Sequence, residues 1–152
     1  MEYILHLFIL ISFYTLLSQS LNISAGFTGL ISLAQAGFYG IGAYTTAILS
    51  TQFGFSFWLN LPLAMFISGA IAFVVSLIAL RTVEDYFIIC TLGIQVVLFS
   101  VMNNWMELTR GPLGIPGIPS IHLFGLNLDN KISFLILSLL LVTLVWLALK
   151  NI

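Results

Sequence analysis

The chain has 152 residues, of which 61% are hydrophobic and 6% charged, with a formal net charge of −1. A soluble domain carries roughly 25% charged residues, so this composition excludes a water-covered globule and points to a membrane protein. No basic patch exists, which argues against a nucleic-acid partner.

The sequence places five apolar segments in chain order, at about 3–24, 27–51, 57–80, 86–104 and 132–149. A bilayer core about 30 Å thick needs roughly 20 apolar residues per helix. The expected fold is therefore all-α, a polytopic transmembrane helical bundle of about five spans, with residues 1–152 forming one membrane domain. The N-terminus lacks the positive n-region and cleavage site of a signal peptide, so its apolar stretch reads as a retained span. The sequon Asn22-Ile23-Ser24 abuts that span and reads as chance.

Almost nothing separates the first two segments, and Ala25 with Gly26 is expected to make the turn. That shortness predicts that the second span is broken or re-entrant, which lipid tolerates only where protein or a wet cavity satisfies the backbone. The second segment is rich in small residues. Ser32, Ala36, Gly40, Ala43 and Ala47 advance at helical spacing along one stripe, and Ala25 and Gly29 are four apart. In lipid, small residues let backbones approach and so become the interface between helices. Gly26, Gly29, Ala36, Gly37, Gly40, Gly42 and Ala43 are accordingly expected to pack closely. Gln35 is a side-chain amide inside the span; it either bonds a neighbouring helix or lines a path.

Arg81, Glu84 and Asp85 place the short link at 81–85 at a water interface. The fourth segment then carries Thr91 and Gln95 one turn apart on a shared face, with helix–helix bonding and path lining both open. Ser32, Gln35, Thr91 and Gln95 form the set of path candidates. Asn103 and Asn104 read as end caps. Trp58, Trp105, Trp146, Tyr3 and Tyr86 lie near segment ends, as an aromatic belt requires. Tyr39 and Tyr44 lie inside the second segment without an assigned role.

Residues 105–131 make the one long connection. Pro112, Pro116 and Pro119 exclude a helix there and fix a series of extended or turn steps. Leu113, Ile115, Ile118 and Ile121 suggest that it packs against the helices, and Asn127, Asp129 and Asn130 are turn or cap residues ahead of the last span. Arg81 and Lys150 on one side balance Arg110 and Lys131 on the other, so charge sets no orientation.

No segment carries a central ionisable residue of the kind a proton relay uses. His6, His122 and Cys90 lack metal-ligand spacing, and Cys90 reads as a packing residue. No metal, cofactor or catalytic pair is expected. Neutral amides and hydroxyls suit a neutral or zwitterionic solute moved by an externally powered conformational change.

The stretch Gly26-Phe-Thr-Gly29-Leu-Ile-Ser32-Leu-Ala-Gln35-Ala-Gly37-Phe-Tyr-Gly40-Ile-Gly42-Ala43-Tyr44-Thr45 resembles the signature of the branched-chain amino-acid ABC-transporter permease subunits. That signature reads approximately G-x-x-G-x-x-S-L-x-x-A-x-F-x-G-I-G-A-Y-T. A second block also resembles the family: Leu80-Arg81, Tyr86-Phe87, Thr91-Leu92, Asn103-Asn104-Trp105, Leu108-Thr109, Gly111-Pro112, Gly114, Gly117-Ile118-Pro119 and Phe124-Gly125. The resemblance covers roughly residues 10–130.

The resemblance implies one permease subunit of a bacterial inner-membrane importer. Its partners would be membrane lipid, a second permease subunit, cytoplasmic ATPase subunits that hydrolyse ATP, and a periplasmic solute-binding protein. The solute would be a branched-chain amino acid, urea or a short amide. Gly111, Pro112, Gly114, Gly117 and Pro119 would belong to a periplasmic loop, and residues 81–85 would face the cytoplasm. Family members are commonly longer, so the chain is expected to be an N-terminal fragment. An oligomeric channel-like facilitator and a non-transporting assembly protein are the alternatives.

Overall fold

The computed structural model describes residues 2–79, 81–82, 84–119, 122–123, 126–127 and 131–150. Five α-helices run in the order α1 (Glu2–Thr28), α2 (Gln35–Gln52), α3 (Phe57–Ala79), α4 (Glu84–Asn104) and α5 (Lys131–Lys150). A 3-10 turn at Gly111–Leu113 and a short antiparallel pairing of His122–Leu123 with Leu126–Asn127 interrupt the connection before α5. Among the described residues, four helices are long and apolar enough to cross a membrane: Glu2–Gly26, Phe57–Ala79, Tyr86–Asn104 and Ile132–Lys150. The chain is thus a predominantly helical polytopic membrane protein, of the all-α class expected. Asp129, Asn130 and Ile121, which the sequence placed in the last connection, lie outside the described residues.

The described residues form two compact units. The first comprises Met1–Gly29 and Ser120–Ile152. In it α1 and α5 pack on each other, and the rings of Phe13 and Phe134 meet at 6.1 Å between centroids. Ser12 and Ser138 are buried, and each hydroxyl donates back to its own helix, to Phe8 O at 2.9 Å and Leu135 O at 2.8 Å. Without water nearby, a hydroxyl must find such a carbonyl. At the end of α5 the Lys150 ammonium lies 5.6 Å from the Trp146 ring, an arrangement suited to a membrane–water boundary.

The second unit is Leu30–Pro119. Here α2 packs chiefly on α3 and also meets α4. The α2–α3 connection is short. Gly54 takes the left-handed conformation at φ 62°, and the Phe55 N–H donates back to Leu49 O at 3.2 Å. Asn60, fully buried in the first turns of α3, donates from Nδ2 to Ser50 Oγ at 2.8 Å and to Phe55 O at 3.1 Å. One side chain thus ties the turn to both helices. Further along, Ser68 Oγ donates to Phe38 O at 2.9 Å, bonding α3 to the α2 backbone.

Two sequence expectations change. Ala25 and Gly26 do not make the first turn, because α1 continues through both to Thr28. The helix ends at Gly29, which adopts φ 68° and closes onto Ala25 O at 3.0 Å. A left-handed residue stops helix propagation, and glycine takes that conformation without a Cβ penalty. Residues 29–34 are non-helical, so the second segment is broken ahead of α2.

The apolar side chains of the proline-rich connection also do not bury as expected. Leu113 is 86% and Ile118 55% exposed, and only Ile115 is half-buried. The left-handed pair Arg110 (φ 57°) and Gly111 (φ 54°) turns the chain so that Gly111, not an apolar side chain, seats against the end of α4.

Candidate functional site

The break before α2 creates a chemical problem. The first N–H groups of a helix have no partner within it. Ala34 stands at the N-cap and offers no side-chain bond. The Gly37 N–H finds Ala34 O at 3.0 Å, and α4 adds side-chain acceptors for it and for the Leu33 N–H just ahead of the N-cap. Thr91 Oγ1 accepts from the Leu33 N–H at 3.2 Å and donates to Ile88 O at 3.0 Å. Gln95 Oε1 accepts from the Gly37 N–H at 2.6 Å. Their spacing of one turn on α4 matches the rise of the chain from Leu33 to Gly37.

This approach is close because α2 presents glycine to α4. A Cβ at Gly37 would lie 2.7 Å from Gln95 Oε1 and 2.8 Å from Leu98 Cδ1. At Gly40 it would lie 3.0 Å from both the Sδ and the Cε of Met102. The two contacts also set the direction: later residues on α2 meet later residues on α4, so the helices run parallel where they touch.

Beside this contact lies a groove of about 240 Å³, lined by Ala36, Gly40, Tyr44, Gln95, Phe99, Met102 and Asn103. Its middle is apolar, from Gly40, Phe99 and Met102. Carboxamides stand at its two ends. Gln95 and Asn103 are eight residues apart, which is about 12 Å of helix rise. Gln95 Oε1 is committed to Gly37, so its Nε2 amide is what it can offer a solute. Pockets for drug-sized ligands occupy roughly 300–1,000 Å³; this groove suits a smaller molecule.

The other expected residues fall elsewhere. Thr91 is 2% exposed, and its hydroxyl already both accepts and donates. Ser32 is half-buried in the non-helical segment and Gln35 opens α2; neither lines the groove. Of the expected packing residues, Gly37 and Gly40 face α4, Ala36 lines the groove and Ala43 is exposed. A Cβ at Gly29 or Gly42 would meet nothing within 4 Å, and at Gly26 only Asn22 Oδ1 at 3.8 Å. Asn104 Nδ2 donates back within α4 to Ser100 O at 2.9 Å and Ser100 Oγ at 3.1 Å, whereas Asn103 lines the groove.

In the proline-rich connection, Thr109 Oγ1 donates to Met102 O at 2.6 Å and Trp105 O at 2.8 Å, and accepts from the Gly111 N–H at 3.2 Å. Gly111 is buried, Gly114 half-buried, and Pro112, Gly117 and Pro119 are exposed. The groove side of Tyr44, Met102 and Asn103 was not read from the sequence, and Asn60 was missed altogether. An amide in an otherwise apolar run was the available signal for Asn60. Among the described residues, no three His, Cys, Asp or Glu come together as a metal site would require.

Comparison with known proteins follows the same lines. No solved structure matches the chain. It is 43% identical over 118 residues to the high-affinity branched-chain amino acid transport system permease protein LivM of Salmonella typhimurium, covering 78% of this chain and 28% of that protein. It is 41% identical over 117 residues to the protein of the same name from Escherichia coli, covering 77% of this chain and 28% of that one. The chain therefore spans little more than a quarter of these relatives' length. Residues 3–151 match the family described as branched-chain amino acid transport system / permease component, and the chain belongs to that family.

Proposed function

We propose that this chain is part of the membrane-spanning permease subunit of an ABC importer for branched-chain amino acids or a similar small solute, and that the α2–α4 groove contacts that solute. The subunit sits in a bacterial inner membrane. It works with a second permease subunit, a periplasmic solute-binding protein and cytoplasmic ATPase subunits that carry the hydrolysis.

The groove is the observation that carries this reading. Its walls hold carboxamides and a tyrosine around an apolar middle, with no ionisable carboxylate or amine among its lining residues. Polar side chains inside a membrane protein usually face the bundle interior or a wet cavity. A net-neutral solute loses little on entering such a lining, whereas a net charge there would go unpaired. A zwitterionic head can exchange hydrogen bonds with Asn103 and Tyr44 while an apolar tail lies against Phe99 and Met102.

The test is uptake by the complete complex in proteoliposomes with ATP inside. Ala36→Leu fills the groove from the α2 side, and uptake of radiolabelled leucine should fall at least several-fold while the complex still co-purifies. Normal uptake kinetics with Ala36→Leu would remove the groove from the path. Flux without nucleotide would instead identify a facilitator.

A further inference from the structure

The groove has one movable wall. Phe99 is a rigid ring, and Ala36 and Gly40 belong to the α2 backbone surface. Met102 is unbranched, with a polarizable thioether that adapts to irregular space. Its Sδ and Cε both lie 3.0 Å from where a Gly40 Cβ would stand, so its tip already rests against the α2 backbone. The same side chain lines the groove beside Phe99 and Asn103. Nothing can be added at Gly40 without moving that tip, and the groove is the adjoining open space.

We infer that Met102, braced on Gly40, sets the largest apolar group that the groove admits. This inference rests on the solute-contact reading above. The two carboxamides are about 12 Å apart along α4, too far to share one amino-acid head. The head therefore takes one end, at Asn103 and Tyr44, and the tail extends past Met102 and Phe99. A thioether that can shift its terminal torsions accommodates tails branched at different carbons.

The prediction separates two opposite changes. Met102→Ala removes the wall. Gly40→Ala pushes the thioether into the groove. Transport by the full-length complex in proteoliposomes is measured for alanine, valine, leucine and phenylalanine, with KM and kcat determined for each. One or two methylenes in an apolar pocket are worth about tenfold or more in discrimination, so Met102→Ala should shift the KM ratio of phenylalanine to valine about tenfold in favour of phenylalanine. Gly40→Ala should shift the ratio of leucine to alanine the opposite way, against the larger solute. Met102→Leu, which conserves volume but stiffens the wall, keeps the test open if Met102→Ala does not assemble; it should narrow the range of accepted branching.

Asn103→Leu is the control for the underlying reading, since it removes a head contact shared by every solute. If it raises every KM while the Met102 and Gly40 variants leave the size ranking untouched, the sizing role alone is wrong. If Asn103→Leu changes no KM, the groove is not a solute site at all. Equal loss for all solutes in both Met102 and Gly40 variants would mark a purely structural contact and overturn the inference.

Discussion

Gln95 accepts a 2.6 Å hydrogen bond from the Gly37 backbone N–H across 58 residues of sequence, and so caps a helix that has no cap of its own. The partner it replaces would ordinarily be a Ser, Thr, Asp or Asn at position 34, where this chain has Ala34. Gln95→Met keeps the length of the side chain and removes the acceptor. The Gly37 N–H keeps its 3.0 Å bond to Ala34 O, so the loss is that of one hydrogen bond, about 0.5–1.5 kcal/mol, and the variant should unfold at correspondingly lower denaturant in detergent. Thr91→Val should add to the loss. Unfolding curves that superimpose on the wild type would show that the α2 start is satisfied some other way.

Two glycines on the same helix should respond oppositely to alanine. At Gly37 the new methyl would collide with Gln95 Oε1 at 2.7 Å and Leu98 Cδ1 at 2.8 Å; at Gly42 it would meet nothing within 4 Å. Alanine is favoured over glycine within a helix by about 1 kcal/mol, so Gly42→Ala should be neutral or stabilising. Gly37→Ala should be destabilising despite that gain, because the Gln95 bond must lengthen. Thermal melts of the two variants side by side check the sign of each.

Gly111→Ala should be the more damaging of two substitutions in the proline-rich connection. Its Cβ would stand 2.5 Å from the Asn103 carbonyl oxygen, a backbone atom that cannot swing aside, and the residue sits at φ 54°. Gly114, at φ 67° and ψ 177°, lies in a backbone region that is essentially glycine-only but has open space around it, so Gly114→Ala carries a backbone cost of about 1–3 kcal/mol and no collision. Hydrogen exchange at the end of α4 should rise markedly for Gly111→Ala and little for Gly114→Ala. Equal effects would mean that the contact with Asn103 O is not what holds this turn.

Asn60→Ala should loosen the α2–α3 connection. It removes the donor to Ser50 Oγ and leaves the Phe55 carbonyl without that partner. The expected loss is about 1–3 kcal/mol, with protease sensitivity appearing between Gln52 and Phe57. Asn60 Oδ1 is buried with no partner among the described residues, so part of the cost of burying the amide is already present in the native protein. Unchanged protease sensitivity in Asn60→Ala would show that the turn is held without this amide.

The apolar lengths of α3, α4 and α5 were legible because lipid demands a helix wherever roughly 20 apolar residues run together. The break before α2 was legible too, from a connection too short for a loop. Its position was not. Ala25-Gly26 reads as a turn in isolation, yet the helix persists until Gly29 because an unbonded backbone is more costly than a glycine in a helix.

At the site, Thr91 and Gln95 were visible as a polar face, but not their acceptors' task. That task is set by a missing cap on a segment distant in sequence, which helical spacing on α4 cannot reveal. Met102 was invisible for the opposite reason: a methionine in an apolar run resembles every neighbour until its contact with Gly40 is known. Asn60 stood out chemically and was overlooked because its role lies in a turn and not along a span.

The capping of α2 by α4 bears on biogenesis. α2 is not among the described helices apolar enough to cross a membrane unaided, and its start is completed by residues made much later on the ribosome. Until α4 emerges and inserts, the α2 segment lacks its acceptors and has reason to stay near the translocon or the lipid surface. Nascent chains arrested before α4 leaves the ribosome should therefore leave α2 accessible to aqueous labelling reagents, and chains long enough for α4 to emerge and insert should shield it. Helix α2 would then be settled by α4, out of order with synthesis.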